Sequence, residues 1–331
     1  MNGIAQFSES DAKSLKRKRA ARKMRTYLYS ALRMFFLLSI GYLILYPLLY
    51  MIITSVSSGN AYNNSIRVWL PSELNIKENF VRALNVLDYG TAFLSTFKNQ
   101  LISAALEVGS CAFAAYGFAR FNFKGKKICT AFLLLSILVP DMIVIIPRVL
   151  GYSHVDFLGI LGLVNKLTGI DLRIKLINTS FTFWIPSLLG VGLKSGILIY
   201  IYIQFFRGLP KELEEAAWID GAGPLKTFFS ISLPSSGVVI LTVTVFSLIW
   251  HWNDSLLSSM YLYDSYPLAV KLTMFETTMN QKYFLGLSRD TPEGAVVVMA
   301  GCLLFILPML IIYMILQRWF IESIDRVGIT G

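Results

Sequence analysis

Six apolar stretches, each near the roughly 20 residues that an α-helix needs to cross the hydrocarbon core of a bilayer, constrain this chain more than any other feature. They run from about Met34 to Ile53, Phe97 to Ala119, Ile128 to Val149, Phe181 to Phe206, Ile231 to Trp252 and Val296 to Gln317. The expected fold class is all-α, a polytopic membrane protein with six transmembrane helices. Composition agrees, because 55% of the 331 residues are hydrophobic and only 15% are charged, which does not suit a soluble globular chain. The first stretch is too long for an ordinary signal-peptide core and no Ala-x-Ala site follows it, so it is expected to be retained.

The net charge of +10 raises nucleic acid as a partner, but its distribution excludes that reading. Eight basic residues crowd between Lys13 and Arg25, just before the first span, as the positive-inside rule expects of a cytoplasmic segment. Arg120, Lys124, Lys126 and Lys127 follow the second span, Arg207, Lys211 and Lys226 follow the fourth, and Arg318 and Arg326 follow the sixth. Both termini are therefore expected in the cytoplasm of a bacterial-type inner membrane, although Arg148, Lys166, Arg173 and Lys175 fall in an external loop against the bias.

The expected organisation is a basic cytoplasmic tail (1–32), a first span with an external loop (33–95), a membrane core (96–318) and a short cytoplasmic tail (319–331). The basic tail has no apolar face long enough to pack and reads as disordered or interfacial. In the loop from Thr54 to Ser95, Trp69, Pro71 and Phe80 suit contact with the membrane surface or a partner. A second external loop, Asn253 to Gly294, interleaves Tyr261, Tyr263, Tyr266 and Tyr283 with Lys271 and Lys282, which suits an interface belt and packing first and direct contact with solute or partner second. Cys111, Cys129 and Cys302 lack any paired spacing and read as small buried hydrophobes rather than a disulfide or metal framework.

Within the core, the loop 207–234 has a pattern of its own. Pro210 suits a first helical position, Lys211 to Asp220 are mostly helix-compatible, Gly221 and Gly223 can end a helix, and Pro224 can begin another. Leu213, Ala216 and Ala217 share one face of the first helix, and Leu225, Phe228 and Phe229 one face of the second. Glu212, Glu214 and Glu215 lie at the first helix's amino end, where the dipole favours acids. The expectation is an acid-tipped, amphipathic helix-turn-helix on the inner face, able to dock into a groove on a soluble partner. The alternative from periodicity alone is an ordinary interfacial loop helix.

Glu215-Ala216-Ala217, then three residues, Gly221, nine residues, and Ile231-Ser232-Leu233-Pro234 match the EAA signature of the inner-membrane permeases of binding-protein-dependent ABC importers. From about Asn99 onward the chain resembles the maltose-transporter permease type. Ala114 to Phe121 is similar to that family's AAYxxAR segment, Pro140 and Pro147 to its proline-containing third span, and Trp252-Asn253-Asp254 to its Trp-Asn-Glu/Asp segment. The tail from Phe320 to Gly331 matches more loosely, and Asp141 stands where a second proline is common. The resemblance implies a type I ABC importer permease fold. The implied partners are a second homologous permease, two ATP-binding subunits, an extracytoplasmic solute-binding protein and a carbohydrate substrate. It also implies that Glu214, Glu215, Ala216, Ala217, Asp220, Gly221, Ile231, Leu233 and Pro234 form the ATPase-coupling loop. Closure of the ATPases would move this loop as a lever and alternate access across the membrane. Glu215 would be the acid entering the ATPase groove, and Gly221 would permit the bend.

Ionisable groups inside a span are costly and become candidate functional sites, here Glu107, Asp141 and Lys194, with Glu107 and Lys194 near mid-depth and able to pair. A sugar path needs polar groups for hydroxyls and aromatic faces for the ring, which adds Asn99, Trp250, His251, Trp252 and Asn253. For all of these the competing reading is a buried structural pair or packing. Gly190-Val-Gly-Leu-Lys-Ser has the wrong glycine spacing for a phosphate loop, and His154 and His251 have no ligand partners at metal spacing. No nucleophile constellation is present, so neither catalytic activity, nor a cofactor, nor a metal is expected in this chain. The rival functions are an ATP-independent secondary transporter of a polar solute, an importer permease for another solute class, and a membrane scaffold that recruits a soluble protein.

Overall fold

The computed structural model describes residues 9–63, 69–156, 159–169, 173–283 and 287–328, with side chains described for these except 9–21 and 320–328. In chain order the helices are α1 (Glu9–Val56), α2 (Gly59–Asn63), α3 (Ile76–Leu87), α4 (Tyr89–Arg120), α5 (Lys126–Leu138), α6 (Asp141–Ser153), α7 (Ile160–Thr168) and α8 (Phe181–Leu188). They continue with α9 (Ser195–Gly208), α10 (Glu212–Ile219), α11 (Pro224–Thr227), α12 (Gly237–Asn253), α13 (Leu256–Tyr261), α14 (Leu268–Thr273), α15 (Phe275–Tyr283) and α16 (Pro292–Gly328). Between α11 and α12 lie a π-helical turn, Phe228–Ser232, and a 3-10 turn, Pro234–Ser236. Among the described residues the only β pairing is two isolated bridges, so the fold is all-α.

Among the described residues four helical runs are long and apolar enough to cross a membrane: α1, α4, the run Pro224–Asn253 and α16. The third apolar stretch of the sequence is not one helix. It is α5 and α6, joined at a bend of 103°. Pro140 has no N–H to continue the helix and drives Val139 into an extended conformation, which sets the break there. The fourth stretch is also divided, into α8 and α9, with Gly190 (φ 69°) and Lys194 (φ 60°) left-handed in the link between them. A Cβ on Gly192 in that link would stand 2.8 Å from Glu107 Oε1 and 3.0 Å from the Ser187 Cα. The glycines dismissed as a phosphate loop are thus the means by which this chain segment presses against α4.

The basic segment before the first span, read as disordered or interfacial, is helical from Glu9 and continuous with the span in α1. Along α1, Leu37, Leu38, Leu43 and Ile44 are exposed, a surface fit for lipid. The helix touches the rest of the molecule chiefly along α16, with α3 a lesser neighbour.

α4 is the central post, packed against α8, α9 and α12. Near its carboxyl end Cys111, Ala115 and Tyr116 pack with Leu198, Tyr202 and Phe206 of α9 and with Val243 of α12. Around its amino end a second cluster joins Leu87, Trp252, Leu268, Phe275, Met279 and Val297. The loop following α12 is thereby built into the molecule, and Tyr261, read as belt or packing, is buried against Phe183 and Tyr152. At the α3–α4 junction Asp88 binds Lys271 Nζ at 3.1 Å and Lys282 Nζ at 2.9 Å. These ammonium groups, Lys282 foremost, hold its carboxyl below the ordinary carboxylate range. Cys111 is buried as expected, whereas Cys129 is exposed and Cys302 half-buried.

Candidate functional site

The loop 207–234 folds as the helix-turn-helix that its sequence anticipates. α10 carries Glu212, Glu214 and Glu215 in its first turn. Gly221 takes φ 79°, a conformation that favours glycine, and the helix closes with Gly221 N–H donating to Trp218 O (3.0 Å) and Ala222 N–H to Ala217 O (2.9 Å). A Cβ at Gly221 would meet nothing within 4 Å, so its backbone conformation, not space, requires glycine. Pro224 then opens α11, and the π-helical turn carries the chain toward α12.

The buried face of the hairpin is not the one that simple periodicity suggests. Ala217 is buried, but Leu213 and Ala216 are exposed, and the residue sharing the inner face with Ala217 is Glu214. Its Oε1 accepts from Arg120 Nε at 2.9 Å and from Ser232 Oγ at 2.9 Å, while a terminal nitrogen of Arg120 donates to Leu209 O at 3.0 Å. The side chains of Arg120 and Glu214 are only 5% and 4% exposed. Phe228 is buried with them, its ring 5.0 Å from Tyr116 and 6.4 Å from Phe206. On the opposite side, Leu213, Trp218, Ile219, Leu225 and Phe229 are exposed beside Glu215, Asp220 and Gly221. Ile231 and Leu233 are half-buried, Leu233 against the core, and Pro234 is exposed at the start of the 3-10 turn. The hairpin is thus fixed on one face and bare, apolar and acidic on the other.

The intramembrane candidates do not form one site. Glu107 is fully buried, its Oε1 accepting from Ser195 Oγ at 2.5 Å and its Oε2 from Ser247 Oγ at 2.6 Å, with His251 Nε2 at 3.1 Å. It joins α4 to α9 and α12 and does not pair with Lys194. Lys194 instead binds Asp141, Nζ to Oδ2 at 2.7 Å, on the wall of a cavity of about 390 Å³ between α5–α6 and the α8–α9 link, which Arg148 also lines. Trp252 and Asn253 border a separate, mostly apolar cavity of about 260 Å³ between α12 and α16. Trp252 Nε1 donates to Phe305 O (3.1 Å), and Asn253 Nδ2 to Ile249 O (2.9 Å). Trp250 stacks on Phe246, and Asn99 is buried with its side-chain oxygen unpartnered while its backbone carbonyl accepts from Trp184 Nε1. In the sequence Arg120 stood out only as a topology marker and in the AAYxxAR segment, Ser232 only as a letter of the signature and Ser195 only as the end of the rejected phosphate-loop pattern, and Ser247 gave no signal. Among the described residues no cluster of His, Cys, Asp or Glu is arranged to hold a metal.

The model of the family described as "binding-protein-dependent transport system inner membrane component" matches residues 110–326, which spans both the hairpin and the Lys194–Asp141 cavity. Among curated relatives, the chain is 25% identical to the maltodextrin transport system permease protein of Streptococcus pneumoniae, over 96% of this chain and 99% of the relative. It is 26% identical to the melibiose/raffinose/stachyose import permease protein of Bacillus subtilis, over 86% and 91%. It is 27% identical to the osmoprotective compounds uptake permease protein of Synechocystis sp., over 77% and 76%. In fold it resembles a chain from the crystal structure of a bacterial ABC transporter involved in the import of the acidic polysaccharide alginate, with a TM-score of 0.61, 19% identity, and coverage of 96% of this chain and 100% of that one.

Proposed function

The chain belongs to the family of binding-protein-dependent transport system inner membrane components, and from that premise we propose that it is one of two pore-forming subunits of an ATP-driven importer for a sugar or short oligosaccharide. The observation that carries the proposal is the hairpin. Its EAA signature is complete, its inner face is bolted to α4, and its outer face leaves Leu213, Trp218, Ile219 and Phe229 uncovered beside Glu215. An exposed apolar ridge with an acid beside it fits a groove on a soluble partner. The partner of that chemistry is an ATP-binding subunit, two of which sit beneath the permease pair, with ATP hydrolysis on them and an external binding protein delivering solute. Both termini and the hairpin lie in the cytoplasm in this reading, consistent with the basic residues around them. The saccharide class rests on the maltodextrin and melibiose-type relatives; the osmoprotectant relative leaves room for another small polar solute.

The solute path runs past the Lys194–Asp141 pair. Side chains 43% and 26% exposed on membrane-spanning segments would be costly against hydrocarbon, so this face looks onto water or onto the second permease across a wet interface. Glu107 takes no part in the path in this state, because its oxygens are occupied and sealed.

The deciding experiment extracts the tagged full-length chain from its native membrane in mild detergent and identifies what copurifies. A second permease and an ATP-binding protein are expected with the wild type, and the ATP-binding protein is expected to be lost from Gly221→Asp and Glu215→Lys. Recovery of the chain alone, or of an ATPase indifferent to both substitutions, would overturn the proposal in favour of a transporter working without ATP.

A further inference from the structure

We infer that Arg120 and Glu214 form a latch that makes the cytoplasmic hairpin a rigid extension of α4, so that force on the hairpin displaces α4 instead of bending the loop. What applies the force is supplied by the importer reading; the latch itself is argued from geometry.

Arg120 is the last residue of α4, and two of its nitrogens are committed to different pieces of chain. One holds Glu214 on α10, and the other holds the Leu209 carbonyl, at the point where the chain leaves α9. The same Glu214 oxygen also receives the Ser232 hydroxyl from the π-helical turn. A single buried pair therefore gathers α4, the α9–α10 link, α10 and the segment leading into α12. Charge placement reinforces the arrangement, since Arg120 lies in the last turn of α4 and Glu214 in the first turn of α10, the ends at which helix dipoles favour each sign.

Burial is what gives the pair mechanical meaning. An exposed ion pair exchanges partners with water and constrains little, whereas a desolvated, multiply hydrogen-bonded one has no equivalent arrangement nearby. Successive residues on a helix point about 100° apart, so the adjacent acids serve different sides: Glu214 faces inward, and Glu215 stays free for a docking partner. About 20 Å further along α4 stands Glu107, bonded to α9 and α12. A displacement of α4 imposed at Arg120 is thereby passed to both neighbouring spans.

A staple needed only for folding would have the same coordinates, so the test must separate stability from motion. Replacing one partner strands a buried charge, and Arg120→Met and Glu214→Met are each expected to reduce the amount of folded chain. Replacing both removes the charges together and commonly restores the fold. In this Arg120→Met, Glu214→Met background, and in the wild type, spin labels are placed at Thr91→Cys and Lys226→Cys, at opposite ends of the α4–hairpin unit, with Cys129→Ser to remove the exposed native thiol. The inter-label distance, roughly 45 Å or more from the length of α4, is measured in the lipid-reconstituted complex without nucleotide and after trapping with ATP and vanadate. The wild type is expected to give one narrow distribution, unchanged by trapping, and the double variant a distribution at least twice as broad that shifts on trapping. A double variant indistinguishable from the wild type, or a wild-type distance that itself shifts on trapping, would overturn the latch. If no ATP-binding protein accompanies the wild type, the importer reading fails by itself; the latch then stands or falls on the nucleotide-free widths.

Discussion

At the residue scale the most consequential side chain in the membrane is Glu107. A carboxylate with no exposed surface survives only if both oxygens are satisfied, and here two hydroxyls and an imidazole from two neighbouring helices converge on it. Because those donors come from α9 and α12, the group holds three helices in register instead of lining a passage. Ser247→Ala removes one donor and is expected to cost about 1–3 kcal/mol, the range for stranding a buried polar partner. Glu107→Ala removes the hub, and its cost is expected to exceed that of Ser247→Ala. Thermal unfolding of the chain in detergent would rank them, and a Glu107→Ala variant as stable as wild type would show that the carboxylate joins nothing. Sequence singled out Glu107 because an acid inside an apolar stretch is conspicuous, but it suggested Lys194 as the partner because both lie near mid-depth. The actual partners, two serines and a histidine, lie 88 to 144 residues away and carry no sign that a local pattern could reveal.

At the scale of elements, the divisions of the third and fourth spans are what the apolar pattern could not show. Hydropathy reports only that a segment tolerates lipid, and a broken helix keeps the same composition. Pro140 was visible as a proline yet gave no bend angle. Gly190, Gly192 and Lys194 were visible too, but their role depends on how closely α4 approaches, a tertiary fact. The continuous spans α1, α4 and α16 were legible from length and hydropathy, and the hairpin from its glycines and prolines, although periodicity chose the wrong buried face for α10 because a charge pair, not apolar contact, fixes it. The link between α8 and α9 gives a sharp contrast between two glycines. Gly192→Ala drives a methyl into Glu107 and the Ser187 backbone and is expected to cost about 1–3 kcal/mol, as overpacking does. Gly109→Ala, in the interior of α4 with open space around it, is expected to be neutral or to stabilise by up to about 1 kcal/mol. Equal melting temperatures for the two variants would mean that the link does not touch α4 in the folded protein.

For the whole molecule the question is which faces meet lipid, water or protein, and charge decides it better than apolarity. The outer surfaces of α1 and of the α5–α6 pair are rich in exposed leucine and isoleucine, as any spanning helix would be whether lipid or a second permease covered them. An ion pair is less permissive. Lys194 and Asp141 bind each other and still expose much of their surface, a state that hydrocarbon would penalise by a few kcal/mol per charge. The cleft they share with Arg148 must therefore be wet, and Leu43, on the exposed length of α1, must not be. That asymmetry is measurable without knowing the solute. In a chain carrying Cys129→Ser, Lys194→Cys and Leu43→Cys are made singly and treated in intact membranes with a charged, membrane-impermeant thiol reagent. Labelling at position 194 is expected to exceed that at position 43 by at least tenfold, and to change when ATP-driven cycling is arrested, because alternating access exposes one path to each side in turn. Reaction at position 43 and none at 194 in either condition would move the path elsewhere, and the cavity between α12 and α16, bordered by Trp252 and Asn253, would then be the surface to probe.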